Sequence, residues 1–250
     1  ETAQGYRDIS DISLYVMFPV KGQDNSFFVA WTTTAWTLLS NVALAVNPDL
    51  EYITIEQDGR KLIIAQSRAE ELKAELGDYN IIESRKGAEL ASLEYEPLWE
   101  FQLSSKSGVH RVLVDNFVTA DDGSGIVHLA LYGEDDFRLI RKHNISMVQN
   151  VDIQGIIKPV VTPFAGRYFR DEGLDVDILK NLQKKGLLFA KLKIKHSYPH
   201  CYRCDTPLMY FAKKGWFIKT SALKDKMLEA NSQIKWYPNH IKDGRFGKWL

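Results

Sequence analysis

Three short strings in this 250-residue chain carry side chains able to do chemistry. The first is Trp31-Thr32-Thr33-Thr34-Ala35-Trp36-Thr37-Leu38-Leu39-Ser40-Asn41, in which four threonines fall among aromatic residues. β-Branched threonines suit an ordinary strand. A strand ending in hydroxyls also lines a pocket with neutral donors and acceptors that hold a water or a substrate hydroxyl, and Asn41 adds an amide. The second string, Asp121-Asp122-Gly123-Ser124-Gly125-Ile126-Val127-His128, is followed by Gly133-Glu134-Asp135-Asp136-Phe137. It joins a glycine turn, an apolar strand, one histidine and a run of carboxylates. Its glycines have neither the Gly-Lys-Ser/Thr ending of a phosphate loop nor the dinucleotide-binding spacing, which argues against a nucleotide-binding loop. Taken singly, the histidine reads as a hydrogen-bonded structural residue and the acidic run as a helix start that favours the helix dipole. The third string, Cys201-Tyr202-Arg203-Cys204, has the spacing of half a tetrahedral zinc site, which needs four ligands. Either the two thiols are free or weakly metal-bound, or His196 and His200 complete a Cys2His2 set.

The elements that must position these strings are strands and short helices without a regular alternation. Strands are expected at Leu14 to Val20, Ser26 to Thr32, Ile81 to Arg85, Val109 to Val114 and Gly125 to Leu131, with a hairpin over Tyr52 to Ala65 turning at Asp58-Gly59. Helices are expected at Ser67 to Leu76, Glu134 to His143 and Asp175 to Lys185, the last closed by Gly186. This order favours an α+β domain with a curved, β-barrel-like sheet over a doubly wound parallel one. Near residue 190 the chain becomes basic, aromatic and punctuated by proline, so a boundary is expected there: residues 1–190 form one domain and residues 191–250 a smaller segment.

Lys and Arg total 32, as do Asp and Glu, but the charges are unevenly spread. From Asn181 to Leu250 there are 15 basic residues against 4 acidic ones, leaving 17 against 28 before it. A basic tail of this kind suits a polyanionic partner, or simply a solvated surface. The 45% hydrophobic and 26% charged composition excludes a mainly disordered chain. No run of 18 apolar residues occurs, so no helical membrane span is expected, and no signal peptide is seen at the start. The close cysteine pair suggests a reducing compartment. A first residue other than Met and an ending at Lys248-Trp249-Leu250 suggest a piece of a longer protein.

Taken together, Trp-Thr-Thr-Thr-x-Trp-Thr-Leu, Asn-x-Ala-x-Ala-Val-Asn-Pro, Gly-Ser-Gly-Ile-Val-His and Gly-Glu-Asp-Asp resemble the editing domain of the isoleucyl-tRNA synthetases, an insertion in a class I catalytic core. The resemblance extends to Glu1-Thr2-Ala3-Gln4-Gly5-Tyr6 at the segment leading into that domain. It continues through Tyr198 to Pro207, Trp216 to Thr220 and His240 to Leu250, where the chain would return to the core. Valyl and leucyl relatives share the threonine and Gly-x-Asp-Asp strings; the Thr-Thr-Thr run and the Gly-Arg-Phe-Gly-Lys-Trp-Leu ending favour the isoleucyl member. The ATP-binding strings His-x-Gly-His and Lys-Met-Ser-Lys-Ser do not occur, so aminoacylation is not expected of these residues.

The resemblance implies a domain that hydrolyses valine from mischarged isoleucine tRNA in the cytoplasm, the alternative from another class being a tRNA-binding module with impaired editing. Asp136 would hold the substrate ammonium, and Thr32, Thr33 and Thr34 would shape the pocket and orient water. Trp36, Asn41, His128 and Asp135 would support substrate binding. A Ser124, His128 and Asp135 or Asp136 triad is the rival arrangement. Editing would need no cofactor, while Cys201 and Cys204 would be half of a zinc knuckle in the full-length enzyme, their partners lying upstream of Glu1. Implied partners are the tRNA(Ile) acceptor end and the rest of the synthetase chain. Lys213, Lys214, Lys219 and Arg245, interleaved with Tyr210, Phe211, Trp216 and Trp236, would face one or the other. Two departures stand out. Ala35 and Leu39 occupy usual proline positions, and the loop Ala130-Leu131-Tyr132-Gly133 is one residue short and lacks its proline. The shortening is expected to disturb the position of Asp136.

Overall fold

A computed structural model describes residues 5–102 and 108–250. Of the segment leading into the domain, residues 1–4 lie outside the described residues. The chain divides into two compact units, Glu1–Ala212 and Lys213–Leu250.

The first unit is a mixed α+β body around a curled, half-barrel sheet. Its strands are β1 (Tyr6–Pro19), β2 (Ser26–Thr32), β3 (Ala43–Val46), β4 (Glu51–Gln57), β5 (Arg60–Ala65), β6 (Asn80–Lys86), β7 (Arg111–Val114), β8 (Ile126–Leu129) and β9 (Leu188–Pro199). Seven follow the order β6-β4-β5-β2-β8-β3-β7, while β1 pairs with β2 and carries β9 as a long antiparallel ribbon. Helices are α1 (Lys73–Leu76), α2 (Glu134–Lys142) and α3 (Leu174–Lys184). The β4–β5 hairpin turns at Asp58 and Gly59, both at positive φ, as the right-handed strand twist favours. The helix expected over Ser67 to Leu76 is broken: a 3-10 turn at Gln66–Arg68 precedes only one α turn. At the break the buried Arg68 side chain donates to the Gly123 and Asp121 carbonyls, each at 2.9 Å, which ties this turn to the string before β8.

The core is built from inward-facing residues of nearly every strand. Leu14, Val16, Phe18, Phe28, Leu44, Val46 and Ile126 pack with Trp36, Tyr95 and the apolar face of α3 (Leu174, Ile178, Leu182). The other face of β4 and β5 packs separately with Tyr15, Met17 and Val29. The boundary expected near residue 190 is not a break in the structure. It falls inside β9, where Leu192 and Ile194 alternate with Lys191, Lys193 and Lys195, and the strand is held along β1.

The second unit contains α4 (Lys224–Gln233) and a wide helical turn at Lys242–Phe246. Its polar hub is Asn231, which accepts from Trp236 Nε1 at 2.7 Å and donates to the Lys242 carbonyl at 3.0 Å. Trp236 stacks obliquely on Phe246. Trp216, Phe217 and Tyr237 are more than 90% exposed. Among the described residues no helix is long and apolar enough to cross a membrane.

Candidate functional site

Strands β2 and β8 run parallel and meet at Trp31 opposite Val127, so the two chains leave the sheet at the same end. From β2 emerges the corner Thr32-Thr33-Thr34, followed by a 3-10 turn over Ala35–Ser40. From β8 emerge His128 and Ala130, then the turn into α2. The glycine string that precedes β8 serves packing. At Gly123, with φ +66°, a Cβ would meet the Trp31 ring at 2.7 Å, and at Gly125, with φ +73°, it would collide with the Ala65 methyl. These close approaches seat the segment leading into β8 against β2 at Trp31 and against the end of β5 at Ala65.

Between the two strand ends lies a cleft of about 290 Å³ lined by Trp31, Thr32, Thr33, Thr34, Thr37, Val127, His128, Ala130, Tyr132 and Asp136. Asp136 sits in the first turn of α2. One of its carboxylate oxygens accepts from the Ala130 N–H at 3.3 Å. Burial drives its pKa up from the usual carboxylate range to about 7, outweighing the Ala130 hydrogen bond, and the nearby Asp135 adds to the rise. Among the described residues lining the cleft there is no Lys or Arg. His128 is buried, and desolvation lowers its pKa to about 4, so it is a neutral imidazole near pH 7. Its Nε2 lies 3.0 Å from Thr37 Oγ1. Thr34 takes part on three sides: its N–H donates to Thr32 Oγ1, its carbonyl accepts from Thr37, and its hydroxyl lies 3.3 Å from that of Thr37.

Five of the expected residues, Thr32, Thr33, Thr34, His128 and Asp136, therefore share one cleft. The shortened loop does not carry Asp136 away from it. Tyr132 anchors that loop: its ring packs on Trp36 at 4.7 Å, and its hydroxyl lies 3.0 Å from Ser40 Oγ and accepts from the Val151 N–H.

Three expected binding residues lie elsewhere. Trp36 is a core residue wedged between Tyr132 and Phe169. Asn41 is buried, accepts from Tyr95 Oη at 2.6 Å and donates to the Ala43 carbonyl, which fixes the end of the 3-10 turn. Asp135, next to Asp136, faces solvent and pairs with Arg138. The adjacent positions diverge because consecutive helical residues point about 100° apart. Ser124 turns back on Ile126 and does not line the cleft, so the triad does not assemble. Sequence reasoning missed Thr37 and Tyr132 as cleft residues. Thr37 lay inside the threonine string, three positions after Thr34, where a helical turn returns it to the same face.

The zinc expectation finds no completed site. His196 Nε2 faces Asp11 at 3.0 Å, and His200 Nδ1 faces the Tyr198 carbonyl. Among the described residues no group of three or more His, Cys, Asp or Glu side chains is arranged to hold a metal ion. Cys201 and Cys204 are free, with Cys204 exposed and hydrogen-bonded to Thr206. Two thiols do not satisfy zinc's four-ligand requirement, so among the described residues Cys201 and Cys204 amount to half of such a site.

A family model described as tRNA synthetases class I (I, L, M and V) matches residues 23–250. The chain belongs to this family. An isoleucine–tRNA ligase of Bacillus thuringiensis (strain Al Hakam) is 44% identical over the whole of the chain, which spans 24% of that relative's length. Among solved structures, GlLeuRS-CP1 is similar with a TM-score of 0.56 at 14% identity, over 72% of this chain and 98% of that one. The Plasmodium falciparum cytosolic leucyl-tRNA synthetase editing domain gives 0.55 at 11% identity over the same shares. The α+β, barrel-like fold is thus that of synthetase editing domains, in a chain homologous to isoleucine–tRNA ligases.

Proposed function

We propose that this part of an isoleucyl-type synthetase hydrolyses the ester of valine mischarged onto isoleucine tRNA. The reading is supported above all by a carboxyl buried in a cleft without a basic partner, facing a corner of neutral hydroxyls. Every aminoacyl ester carries an α-ammonium, and a desolvated carboxylate is the group that binds it best. Synthesis alone discriminates poorly between isoleucine and valine. One methylene is worth about 1–3 kcal/mol, a figure for which isoleucyl-tRNA synthetase is itself the standard case and which is not obtained from this cleft.

In this mechanism the ammonium pairs with Asp136, which pulls the carboxyl pKa down from about 7 and keeps it ionised. The ester carbonyl then lies toward the threonine corner. Water held by threonine hydroxyls attacks the carbonyl carbon, and hydroxyl and backbone N–H donors stabilise the oxyanion. The bond to the ribose oxygen breaks, that oxygen takes a proton, and valine leaves as the free acid. An aminoacyl ester is already activated, so orientation of water supplies most of what is needed without a strong general base. Neutral His128 contributes as a hydrogen-bonding wall. The acceptor end of the tRNA would bring the ester into the cleft, and the remaining synthetase would carry the tRNA.

Deacylation tests the proposal. The chain, and the full synthetase containing it, should release valine from valyl-tRNA of the isoleucine type and leave isoleucyl-tRNA intact, and Asp136→Ala should abolish release. Unselective hydrolysis, or none by the full synthetase, would overturn it.

A further inference from the structure

Strand β9 is the outer strand of its ribbon, and among the described residues it pairs with no strand but β1. Its middle carries Lys191, Lys193 and Lys195, all exposed, opposite Leu14, Ile12 and Ser10 of β1. Side chains two apart on a strand share a face, so the three ammonium groups form one row with a repeat of about 6.6 Å. That repeat is comparable to the separation of successive phosphates along a nucleic-acid strand. The acidic residues around the ribbon are engaged elsewhere: Asp11 is held by Arg170, and Asp171 and Asp177 by Arg167. Of the three lysines only Lys195 is ion-paired among the described residues, to Asp8 at 3.1 Å. The sheet register ties this row to the cleft. Leu14 stands opposite Lys191 on one side and opposite Thr32 on the other. The Lys191 and Thr32 backbones are therefore two strand spacings apart, about 10 Å. β2 ends at Thr32, whereas β9 runs on from Lys191 to Lys195 along the part of β1 that β2 does not reach. The row thus starts abreast of the threonine corner and leads outward from it.

We propose that Lys191, Lys193 and Lys195 form a phosphate rail for single-stranded RNA, which they hold by the nucleotides preceding the one whose ester enters the cleft. The proposal rests on the editing reading for which strand is bound, though not for the attraction itself. The offset between Lys191 and the threonine corner is between one and two of the row's own repeats, so the first phosphates before a terminal nucleotide seated in the cleft come within reach of the row. Ammonium groups on flexible stems are point charges that suit phosphates rather than base edges. They add affinity without sequence preference, and the binding weakens with salt because counterions are released. RNA is favoured over an acidic protein segment because the row lies abreast of a cleft suited to an RNA-linked ester and because its repeat matches one charge per nucleotide. Asp8 shares Lys195, so the row has two free members and one restrained.

Binding is read from the fluorescence anisotropy of a fluorescein-labelled RNA hairpin with a single-stranded 3′ overhang, titrated with the 250-residue chain over a range of salt concentrations. The combined variant Lys191→Gln, Lys193→Gln, Lys195→Gln should bind at least about twentyfold more weakly at about 0.1 M salt. Its plot of log affinity against log salt should be shallower by about 1.4–2.1, the weight of two to three phosphate contacts on a single strand. The same loss of charge at scattered exposed positions, Lys61→Gln, Lys73→Gln, Lys158→Gln, should change affinity by less than about threefold. Asp8→Asn, which frees Lys195, should tighten binding about two- to threefold, a gain that no misfolded variant gives. Equal effects of the two triple variants, or no gain in Asp8→Asn, overturn the proposal. So does a blunt-ended hairpin bound as tightly as the overhanging one, or an acidic polypeptide that displaces the RNA at equal charge. In the full synthetase, the row variant should raise KM for valyl-tRNA at least about threefold and keep kcat within about twofold. An unchanged KM there removes the rail alone. A rail that binds RNA in a synthetase that hydrolyses no valyl-tRNA stands by itself, and the editing proposal falls instead.

Discussion

Two cavities of similar size each contain an aspartate with a histidine nearby, and Asp136 of the one and Asp11 of the other stand in opposite electrical conditions. The cleft at the ends of β2 and β8, about 290 Å³, contains His128 and Asp136. A second cavity of about 260 Å³, between the β1 ribbon and the start of α3, is lined in part by Asp11, Arg170 and Asp175, with His196 behind Asp11. In the second cavity Asp11 receives both terminal nitrogens of Arg170, at 3.0 and 3.2 Å, and the ring of His196. Burial pushes its pKa upward, but these hydrogen bonds and charges outweigh it and leave the carboxyl below its ordinary value. Arg170 also lies 4.8 Å from the centre of the Tyr198 ring, so one guanidinium fastens β1 to β9. Asp136 has no such compensation, and burial prevails. A carboxylate already paired by its own protein is part of the framework, whereas one desolvated without a partner lowers stability and gains when a cation arrives.

The largest test of this contrast is exchange of each carboxyl for its amide. Asp136→Asn should reduce hydrolysis of valyl-tRNA by at least about a hundredfold, since the charge that holds the ammonium is gone while the shape remains. Asp11→Asn should leave hydrolysis nearly unchanged and cost about 2–3 kcal/mol of folding stability, because Arg170 is left half-buried without its counterion. If Asp11→Asn destroys activity with stability intact, the division between framework and site fails.

The same two carboxyls predict opposite pH behaviour. Asp136 in the folded chain titrates near 7, above its unfolded value of 3.8, so the folded state holds the proton longer. Its contribution to stability declines as pH rises from about 4 through 7 and is level above that. Asp11 titrates lower folded than unfolded, so its contribution is complete above the unfolded value and disappears as pH falls through the folded one. At pH 8, Asp136→Asn should therefore stabilise the chain by about 2 kcal/mol, roughly half of what the whole displacement is worth, because the new amide brings a buried NH2 of its own. Urea denaturation at pH 5 and pH 8 separates the effects: the gain should be marked at pH 8 and small at pH 5.

The sequence made one of these cavities legible and hid the other. The threonine string and the Gly-Glu-Asp-Asp string are local, and their resemblance to a known domain points to one cleft. Residue types alone did not separate Asp136 from Asp135, or Thr34 from Trp36 and Asn41, because direction depends on where a turn begins. The 3-10 turn at Ala35–Ser40 sends Trp36 into the core and brings Thr37 back to the cleft. The Asp11, Arg170 and His196 cluster left no local trace, since its members lie on β1, before α3 and on β9, far apart in the chain. The basic stretch after residue 190 was read as a change of domain, although the Leu-Lys-Ile-Lys alternation is that of a ribbon strand with one wet face.

The smallest expected effect is also the sharpest check on direction, because Asp135 and Asp136 share a peptide bond. Asp135 is 57% exposed and pairs with Arg138 at 3.2 Å, and Arg138 is held more strongly by two contacts of 2.9 Å to Asp115. That bidentate pair brings the Asp115 pKa down to about 2. Removing the Asp135 charge leaves Arg138 anchored, so Asp135→Asn should change stability by less than about 0.5 kcal/mol. Its effect on the cleft should be electrostatic and slight. Asp135 raises the Asp136 pKa, so its neutralisation should move the acid limb of the hydrolysis profile toward lower pH by a few tenths of a pH step, with the maximal rate within about twofold of wild type. A loss of rate comparable to that of Asp136→Asn would mean that the neighbour, and not the buried carboxyl alone, meets the substrate.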